Sequence, residues 1–411
     1  LNFILNEFSY FISNNFYDWS TNNEPGPIWE ELRTKCPIAH TERWGGSWMP
    51  TKYADLQDFA RMVPALSSKN VLVVSQKREE MEFDPVFAEY GASVPPITSD
   101  PPEHVPMRRL LLPLFTPKAT EAHRPFTEAL CHQLIDRFID EGTCDAALDY
   151  AVHIPAKTIA HVIGVDVERT DEFVGWIRGV LEEGNTDLEK RNKYNRILRQ
   201  FFGELVDARK EAPQDDLISH LLAQEVDGQP IARKAVIGMC NLLLVAGIDT
   251  TWSSIGSALL HFANHPDHRQ RLVNEPELFP SAIEEMLRVY APVTMARQVT
   301  EEVHTGDVIF KPGDKVLMNF PAANLDPEAF EDADKVILDR EKNRHIAFGI
   351  GPHRCAGSNL ARMEMDVALR VWFERIPEFE LMVPSGHSRQ YCIEFAPVVL
   401  LNRPGGQKSS F

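Results

Sequence analysis

The stretch Phe348–Gly357, FGIGPHRCAG, determines how the rest of the chain is interpreted. It places Cys355 among three glycines, Gly349, Gly351 and Gly357, directly before the helix-like run SNLARMEMDVALRVWFERI. Glycine permits positive φ angles and lets the backbone approach a bulky flat group closely. A thiolate at a helix N-terminus lies near unpaired N–H groups and the positive end of the dipole, which stabilise its charge. The pattern therefore predicts a metal-bound sulfur, with a buried free cysteine as the alternative.

The composition is that of a globular protein with a strong acidic excess. The chain has 411 residues, of which 44% are hydrophobic and 25% charged, and its formal net charge is -18. This length predicts one large core or two lobes. The acidic balance disfavours a nucleic-acid partner, because phosphate binding needs clustered cations.

The cysteines and the apolar runs indicate a cytoplasmic protein without a membrane anchor. The six cysteines are scattered and form no CxxC pair, which argues against a disulfide framework and a structural zinc site. The first residues lack the basic region of a signal peptide. The longest apolar run, residues 235–248, is too short to span a bilayer.

Hydrophobic periodicity predicts a mainly α protein with a smaller β region. Helical spacing dominates residues 119–225, and a long apolar helix is expected at about 232–263. The proline-rich stretch 63–99 has no regular pattern, and we expect it to form a wall of a substrate pocket. The β region is expected from about 36–52, 291–320 and 379–402.

Two turns organise the expected strands. Gly45 and Gly46 predict a hairpin in the first strand-like part. In the second part, strands are expected to pair around Lys311–Asp314, KPGD.

The segment DPPEHVPMRR, residues 100–109, predicts the start of a helix. Asp100 is a good N-cap, and proline suits a first turn. His104 and Arg108 lie four residues apart and therefore share one helix face. Taken alone, this pair is explained equally well by a solvated cationic face.

The sequence AGIDTT lies in the middle of the long apolar helix. An acid and two hydroxyls there are costly unless they find partners. For Thr251 we expect the hydroxyl to bond back to a carbonyl and bend the helix.

Two further charge patterns have ordinary explanations. Glu285 and Arg288, at i and i+3, would by themselves form a weak surface ion pair. A cluster of cations in EKRNKYNRILRQ is most simply a solvated helix face. Its members are Lys190, Arg191, Lys193, Arg196 and Arg199.

Four motifs, in this order along the chain, resemble those of the cytochrome P450 family: DPPEH, AGIDTT, ExxR and the loop FxxGxxxCxG. The resemblance spans nearly the whole chain. It implies a triangular helical bundle, with haem between the long central helix and the helix after the cysteine loop. Residues 1–411 would form a single catalytic domain.

The resemblance also assigns a role to each matching residue. Cys355 would be the axial thiolate ligand of the iron in haem b, where its electron donation favours O–O cleavage. Two histidines and two arginines would bind the propionates, and Arg340 would join Glu285 and Arg288 in a structural group. The residues placed around the haem are His104, Arg108, Arg297, His353, Ala246, Phe348, Gly349 and Gly357.

The implied activity is that of a monooxygenase that uses O2 to hydroxylate a C–H bond. Asp249 would relay protons, and Thr250 would hold an ordered water. The substrate-binding positions are apolar, which favours a small to medium hydrophobic molecule such as a terpenoid, aromatic or aliphatic compound. These positions are Leu242, Val245, Ala246, Val293, Met295 and Ile393.

The expected electron source is a separate protein. No GxGxxG follows a strand in the sequence, so we expect an iron–sulfur ferredoxin with its NAD(P)H-dependent reductase. Such donors are acidic, and Arg109, Arg344 and Arg354 are candidate docking cations on a protein expected to be a monomer. The alternatives are a peroxide-driven or reductive haem-thiolate enzyme and a non-catalytic haem sensor. Family members that use peroxide tend to lose the acid–alcohol pair, which this chain keeps.

Overall fold

The protein is mainly helical. A computed structural model describes residues 25–42, 45–73, 84–185, 187–381 and 398–400. The helices before the central one are α1 (Pro25–Lys35), α2 (Tyr53–Phe59), α3 (Pro85–Tyr90), α4 (His104–Leu111), α5 (Pro117–Glu121), α6 (Arg124–Phe138), α7 (His153–Ile163), α8 (Thr170–Leu181), α9 (Leu188–Glu211) and α10 (Leu217–Leu222). The others are the central helix α11 (Arg233–Asn264), α12 (Pro266–Asn274), α13 (Phe279–Val289), α14 (Phe320–Asn324) and α15 (Ser358–Arg375).

The strands form two main sheets and two hairpins. The strands are β1 (Ile38–Thr41), β2 (Ser47–Pro50), β3 (Leu66–Ser67), β4 (Thr143–Cys144), β5 (Glu225–Val226), β6 (Gln229–Pro230), β7 (Thr294–Val299), β8 (Val303–Thr305), β9 (Val308–Phe310), β10 (Lys315–Asn319), β11 (Phe379–Leu381) and β12 (Val398–Leu400). The larger sheet has the order β1-β2-β10-β7-β3, and the smaller has the order β11-β12-β4. Strands β5–β6 and β8–β9 pair as hairpins.

The hairpin predicted at Gly45–Gly46 is confirmed, but the pairing predicted around Lys311–Asp314 is wrong. Strand β8 pairs with β9 across a tighter turn at Gly306, which has a φ of 56°. After Asp314 the chain joins the larger sheet, where β10 pairs antiparallel with β7 and parallel with β2. The Asp314 carboxylate accepts a bond from the indole of Trp48 at 2.9 Å, which draws the turn to β2.

The central helix α11 lies within the main hydrophobic core. Its side chains are apolar on nearly every face, and a helix of this kind is stable only when other elements surround it. It packs against α7, α9 and α15. Of the described helices it alone is long and apolar enough to cross a membrane, but 61% of its most apolar window is buried inside the fold. The core helix of a folded domain explains this pattern fully.

Helix α4 starts later than the sequence predicts. It begins at His104, and the side chain of Asp100 does not cap it. Instead the Asp100 carboxylate accepts bonds from the Ser67 hydroxyl at 2.5 Å and from the Ser68 N–H at 2.8 Å. The predicted N-cap is therefore wrong, and Asp100 ties the stretch before α4 to strand β3.

Glu285 and Arg288 form a buried pair rather than a surface one. Both side chains are fully buried, and their closest atoms lie 2.8 Å apart. Arg340 adds a second cation at 3.1 Å from the same carboxylate, as the resemblance implies. Arg288 also donates to three main-chain carbonyls between residues 324 and 335. The group therefore joins α13 to the chain that leads into the cysteine loop.

Candidate functional site

The loop around Cys355 is closed by its own backbone. The Cys355 N–H donates to the Phe348 carbonyl at 2.8 Å. Gly349 and Gly351 have φ angles of 66° and 75°, as predicted for glycines in this loop. Gly357 differs, because its φ is −82° and it forms the N-cap of α15. The sulfur is thus presented at a helix N-terminus, as the sequence predicts.

The thiol of Cys355 lies on the wall of a cleft. Its side chain is exposed by surface area, yet surrounding protein atoms are dense enough for burial to raise the pKa of the thiol. Both observations hold for a group that faces inward onto a cleft. The Gly357 N–H and the charges of Arg108, Arg354 and Arg362 oppose the rise. A bound metal cation would complete the deprotonation.

Four nitrogen-bearing side chains converge beside this loop. The rings of His104 and His353 lie 4.2 Å apart, and both belong to the predicted cofactor-binding set. Burial, followed by the charges of Arg297, His104 and Arg108, lowers the pKa of His353 to about 3. Burial also lowers the pKa of Arg297 to about 10, although Asp100 opposes this. The structure therefore brings together all four residues that the resemblance assigns to the propionates.

This cluster has buried donors that no described residue satisfies. Both ring nitrogens of His104, Nε2 of His353 and Nε of Arg297 are buried without a hydrogen-bond partner among the described residues. The nearby acid, Asp100, is engaged by Ser67 and Ser68. Buried polar nitrogens without partners are costly, and acidic oxygens that accept from their N–H groups would relieve the cost. The residues fit a ligand with two carboxylates beside a thiolate-bound metal, as haem provides.

A second set of contacts, centred on Glu284, holds the cysteine loop in place, and sequence reasoning missed it. Glu284 accepts two bonds from Arg362, at 2.6 and 2.8 Å, and one from His345 at 2.9 Å. Burial alone would raise the pKa of Glu284, but these bonds outweigh it and hold the pKa at about 2. The Arg362 guanidinium also lies 4.5 Å from the centre of the Phe348 ring. In the sequence, the one indication of this role is that Glu284 lies next to Glu285, the acid of the ExxR motif.

The acid–alcohol pair lies on the open face of the central helix. Leu242, Val245, Asp249 and Thr250 are half-buried and Ala246 is exposed, whereas residues 251–259 are buried. These positions recur every three to four residues and therefore form one stripe. The stripe also contains three of the predicted substrate-binding residues.

Thr250, rather than Thr251, makes the back-bond that we expect in this helix. Its hydroxyl donates to the Ala246 carbonyl at 3.0 Å. The side chain of Thr251 is buried, with an exposed fraction of 5%. Among the described residues the hydroxyl of Thr251 makes no such bond, so the prediction for Thr251 is wrong.

Asp249 has an acid neighbour that the sequence did not reveal. Burial, with a contribution from the charge of Glu182, raises the pKa of Asp249 to about 6. Glu182 follows α8 and is bound by Arg178 at 2.9 Å. A carboxyl group with a pKa near neutrality can both take up and release protons under working conditions.

The remaining predicted pocket residues are divided between described and undescribed parts of the chain. Val293 and Met295 are half-buried at the start of β7, where Met295 lies opposite Met318 of β10. Ile393 lies outside the described residues.

A cationic cavity opens behind the cysteine loop. It has a volume of about 460 Å³, and its lining includes Arg108, Arg109 and Arg354 with the exposed apolar side chains of Val105 and Leu112. Two of the three predicted docking cations thus meet here. The third predicted docking cation, Arg344, is not among the described residues that line this cavity.

Only part of the cation cluster on α9 forms the solvated face that the sequence suggests, because Lys190 and Lys193 are exposed. Arg191 and Arg199 are buried, with exposed fractions of 4% and 3%. Arg196 binds Asp84 at 2.6 Å, and Lys190 binds Glu183 at 2.7 Å. The prediction is therefore wrong for Arg191 and Arg199, which lie inside the fold.

Comparisons of the sequence and of the structure with known proteins point to the same family. The sequence profile of the cytochrome P450 family matches residues 156–407. Cytochrome P450 107B1 of Saccharopolyspora erythraea is 33% identical over 82% of this chain and 83% of its own. The 6-deoxyerythronolide B hydroxylase of the same organism is 32% identical over 86% and 89%. The solved structure of cytochrome P450 PksS from Bacillus subtilis has a TM-score of 0.81 and 28% identity, covering 92% of this chain and 97% of its own.

Proposed function

Because the chain belongs to the cytochrome P450 family of monooxygenases, we propose that it hydroxylates a C–H bond of a hydrophobic molecule with O2 as co-substrate. One observation carries the proposal. A cysteine at a helix N-terminus faces a cleft beside a cluster of unsatisfied buried nitrogens, His104, His353 and Arg297. The fold of the family, mainly α with a smaller β region, supports the same conclusion.

The residues beside the cleft would hold haem b. Cys355 would be the ligand of the iron, and His104, Arg108, Arg297 and His353 would bind the propionates. Ala246 of the central helix and the loop residues Phe348, Gly349 and Gly357 would contact the ring. When bound, the haem supplies the activation of dioxygen, with the thiolate donating electron density.

The chain's own residues would supply protons. The raised pKa of Asp249 allows this carboxyl to exchange protons near neutral pH. Thr250 lies one residue further along the stripe, and its hydroxyl hydrogen is engaged by the Ala246 carbonyl. The hydroxyl oxygen of Thr250 can therefore accept a bond from an ordered water and hold it beside the acid. The surrounding apolar side chains would exclude bulk water, which would otherwise waste the oxidant.

We propose a hydrophobic substrate of small to medium size, such as a terpenoid, aromatic or aliphatic compound. The described pocket positions are Leu242, Val245, Ala246, Val293 and Met295, and all are apolar. Relatives extend the class to larger molecules. One is named vitamin D(3) 25-hydroxylase, from Pseudonocardia autotrophica, and one solved structure is of CYP109E1 from Bacillus megaterium in complex with testosterone.

Electrons would come from an iron–sulfur ferredoxin and its reductase. The cavity behind the cysteine loop combines three arginines with apolar side chains, and this suits an acidic partner with an apolar centre. We further propose that residues 1–411 form one catalytic domain that acts as a cytoplasmic monomer. The burial of the central helix inside the fold argues only against that helix spanning a membrane.

Optical titration of the purified ferric protein tests the proposed function. A thiolate-type spectrum with carbon monoxide is expected for the reduced protein, and a low-spin to high-spin Soret shift is expected with one class among terpenoids, alkyl aromatics, steroids and fatty acids. That class should then be hydroxylated in the presence of ferredoxin, reductase and NADH. Binding without product would indicate a haem sensor, and product formed only with added peroxide would indicate a peroxide-driven enzyme.

A further inference from the structure

A buried arginine holds the stretch before α4 against helix α9. Arg199 donates from Nη1 to the Ser93 carbonyl at 2.9 Å and from Nη2 to the Ala92 carbonyl at 3.0 Å. Burial lowers the pKa of Arg199 only to about 10, so the side chain stays charged at neutral pH. Separating the guanidinium from these two carbonyls would leave the buried charge and both carbonyl oxygens without partners. The contact therefore fixes the backbone of residues 92–93.

The central helix fixes the same backbone from the other side. A Cβ on Gly238 would lie 2.5 Å from the Ser93 carbonyl oxygen and 2.7 Å from Cδ of Pro95. Real Cβ atoms do not approach backbone so closely, so any side chain at this position would displace the segment. Gly238 precedes Leu242 by four residues and therefore lies on the same helix face, one turn away.

The segment continues from this point towards the cofactor-binding cluster. We call residues 92–98 the roof segment. It is closed on itself, because the Thr98 hydroxyl bonds the Ser93 hydroxyl at 2.9 Å and accepts the Val94 N–H at 3.0 Å. Asp100 then ties the chain to β3, and four residues later His104 lies against His353. The roof segment therefore packs one turn before the stripe of the central helix, and the chain that follows it leads to the cysteine-loop side of the cleft.

We propose that Arg199 and Gly238 are positioning residues that fix the roof segment over the cleft and so limit the size of the substrate that fits. The inference rests on the proposed function, because it treats the cleft as the substrate site. Neither residue belongs to the stripe of the central helix itself. Both would act through the backbone of the roof segment.

Two ligands of different size test this proposal. Imidazole and 4-phenylimidazole both bind haem iron through nitrogen, and the Soret shift reports each dissociation constant without turnover. In Gly238→Ala the new methyl group displaces the roof segment, and in Arg199→Met the two carbonyls lose their donors. We expect imidazole affinity to change by less than about twofold, and the preference for 4-phenylimidazole to rise by about fivefold or more, in both variants. Arg199→Lys, which keeps the charge, should stay closer to the parent protein.

Matched controls are available on neighbouring elements. Gly175 lies on α8 with no described atom within 4 Å of an added Cβ, and Arg196 on α9 binds Asp84 outside the roof segment. Gly175→Ala and Arg196→Met should leave the preference unchanged. An unchanged preference in Gly238→Ala and Arg199→Met, or an equal rise in the controls, would overturn the proposal. If Arg199→Met fails to hold haem, Gly238→Ala decides, and an unchanged preference in that variant overturns the proposal. Absence of any imidazole shift in the parent protein would instead overturn the proposed function itself.

Discussion

At the scale of single residues, burial separates the candidate catalytic side chains from those that support the fold. Asp249 and Thr250 are half-buried on the open stripe of the central helix, whereas Thr251 is turned into the core. Glu364 is also buried, and burial raises its pKa well above the usual range, but its surroundings are the core of α15. An acid is therefore a candidate for proton transfer only where its environment opens onto the cleft.

Thr250→Ala should uncouple electron use from product formation. The alanine cannot hold a water beside Asp249, so most of the NADH consumed should appear as hydrogen peroxide while haem and substrate binding persist. Peroxide and product are measured per NADH consumed. Thr251→Val, one residue further and buried, should keep the coupling of the parent protein. Unchanged coupling in Thr250→Ala would exclude the proposed role of this hydroxyl.

Asp249→Asn should slow turnover but stabilise the protein at neutral pH. Burial in the fold raises the pKa of Asp249 from 3.8 to about 6. Between these values the folded state binds the proton more tightly than the unfolded chain does, so the free energy of unfolding falls as the pH rises from about 4 to 6. The asparagine avoids the cost of ionisation and should add about 1–3 kcal/mol to the free energy of unfolding at pH 7.

Urea unfolding of the haem-loaded proteins at pH 4 and pH 7 checks this prediction. The two proteins should be about equally stable at the lower pH. A variant that is less stable than the parent at pH 7 would show that the Asp249 carboxylate makes a favourable native contact.

At the scale of elements, buried charges join helices to loops that have few apolar side chains. Arg288 links α13 to the carbonyls of residues 324–335, and Glu284 links the same helix to the cysteine loop through Arg362. Helix α13 therefore supports the cysteine loop through two acids, Glu284, which binds Arg362, and Glu285, which binds Arg288. The two acids are consecutive residues, so the orientation of this one helix fixes the positions of both.

Arg288→Ala should be strongly destabilising. The change leaves Glu285 with fewer partners in a fully buried position and removes donors from three carbonyls. Loss of about 3–5 kcal/mol in the free energy of unfolding is expected. Lys335→Ala, which breaks an exposed pair with Asp332, should cost less than about 1 kcal/mol. Equal losses in chemical denaturation would contradict the importance of burial here.

The sequence predicts the long elements well and the tertiary contacts poorly. The central helix is expected at about 232–263 and is found at Arg233–Asn264, because its apolar pattern is long and unbroken. By contrast, Asp100 binds β3 instead of capping α4, and Arg199 is buried although its helix carries many charges. Each of these side chains meets a partner far along the chain, which local patterns do not reveal. The same limit hides Glu182, which acts on Asp249 from another helix.

At the scale of the whole molecule, charge is distributed unevenly. The chain has a formal net charge of -18, yet three arginines line the cavity behind the cysteine loop. The net charge would repel an acidic donor, whereas the three arginines of this cavity would attract it. Such an arrangement orients an encounter, since approach elsewhere is unfavourable.

Arg109→Glu should slow electron transfer from an acidic ferredoxin by about tenfold at low ionic strength and flatten its salt dependence. Arg344→Glu makes the same change of charge outside the cavity and should have a much smaller effect. Stopped-flow reduction of the ferric protein at several salt concentrations measures both. Equal effects of the two reversals would mean that only net charge matters and that the cavity is not the docking site.

The position of Arg108 has a consequence for how this protein can diverge. Its guanidinium lines the cationic cavity and also donates to the carbonyl of Arg354, the residue that precedes Cys355. Under the proposed roles, two separate pressures, recognition of a donor and retention of the cofactor, would act on this one side chain. Val105, Arg109 and Leu112 carry only the first pressure, so we expect them to vary between relatives that use different donors, while Arg108 stays fixed.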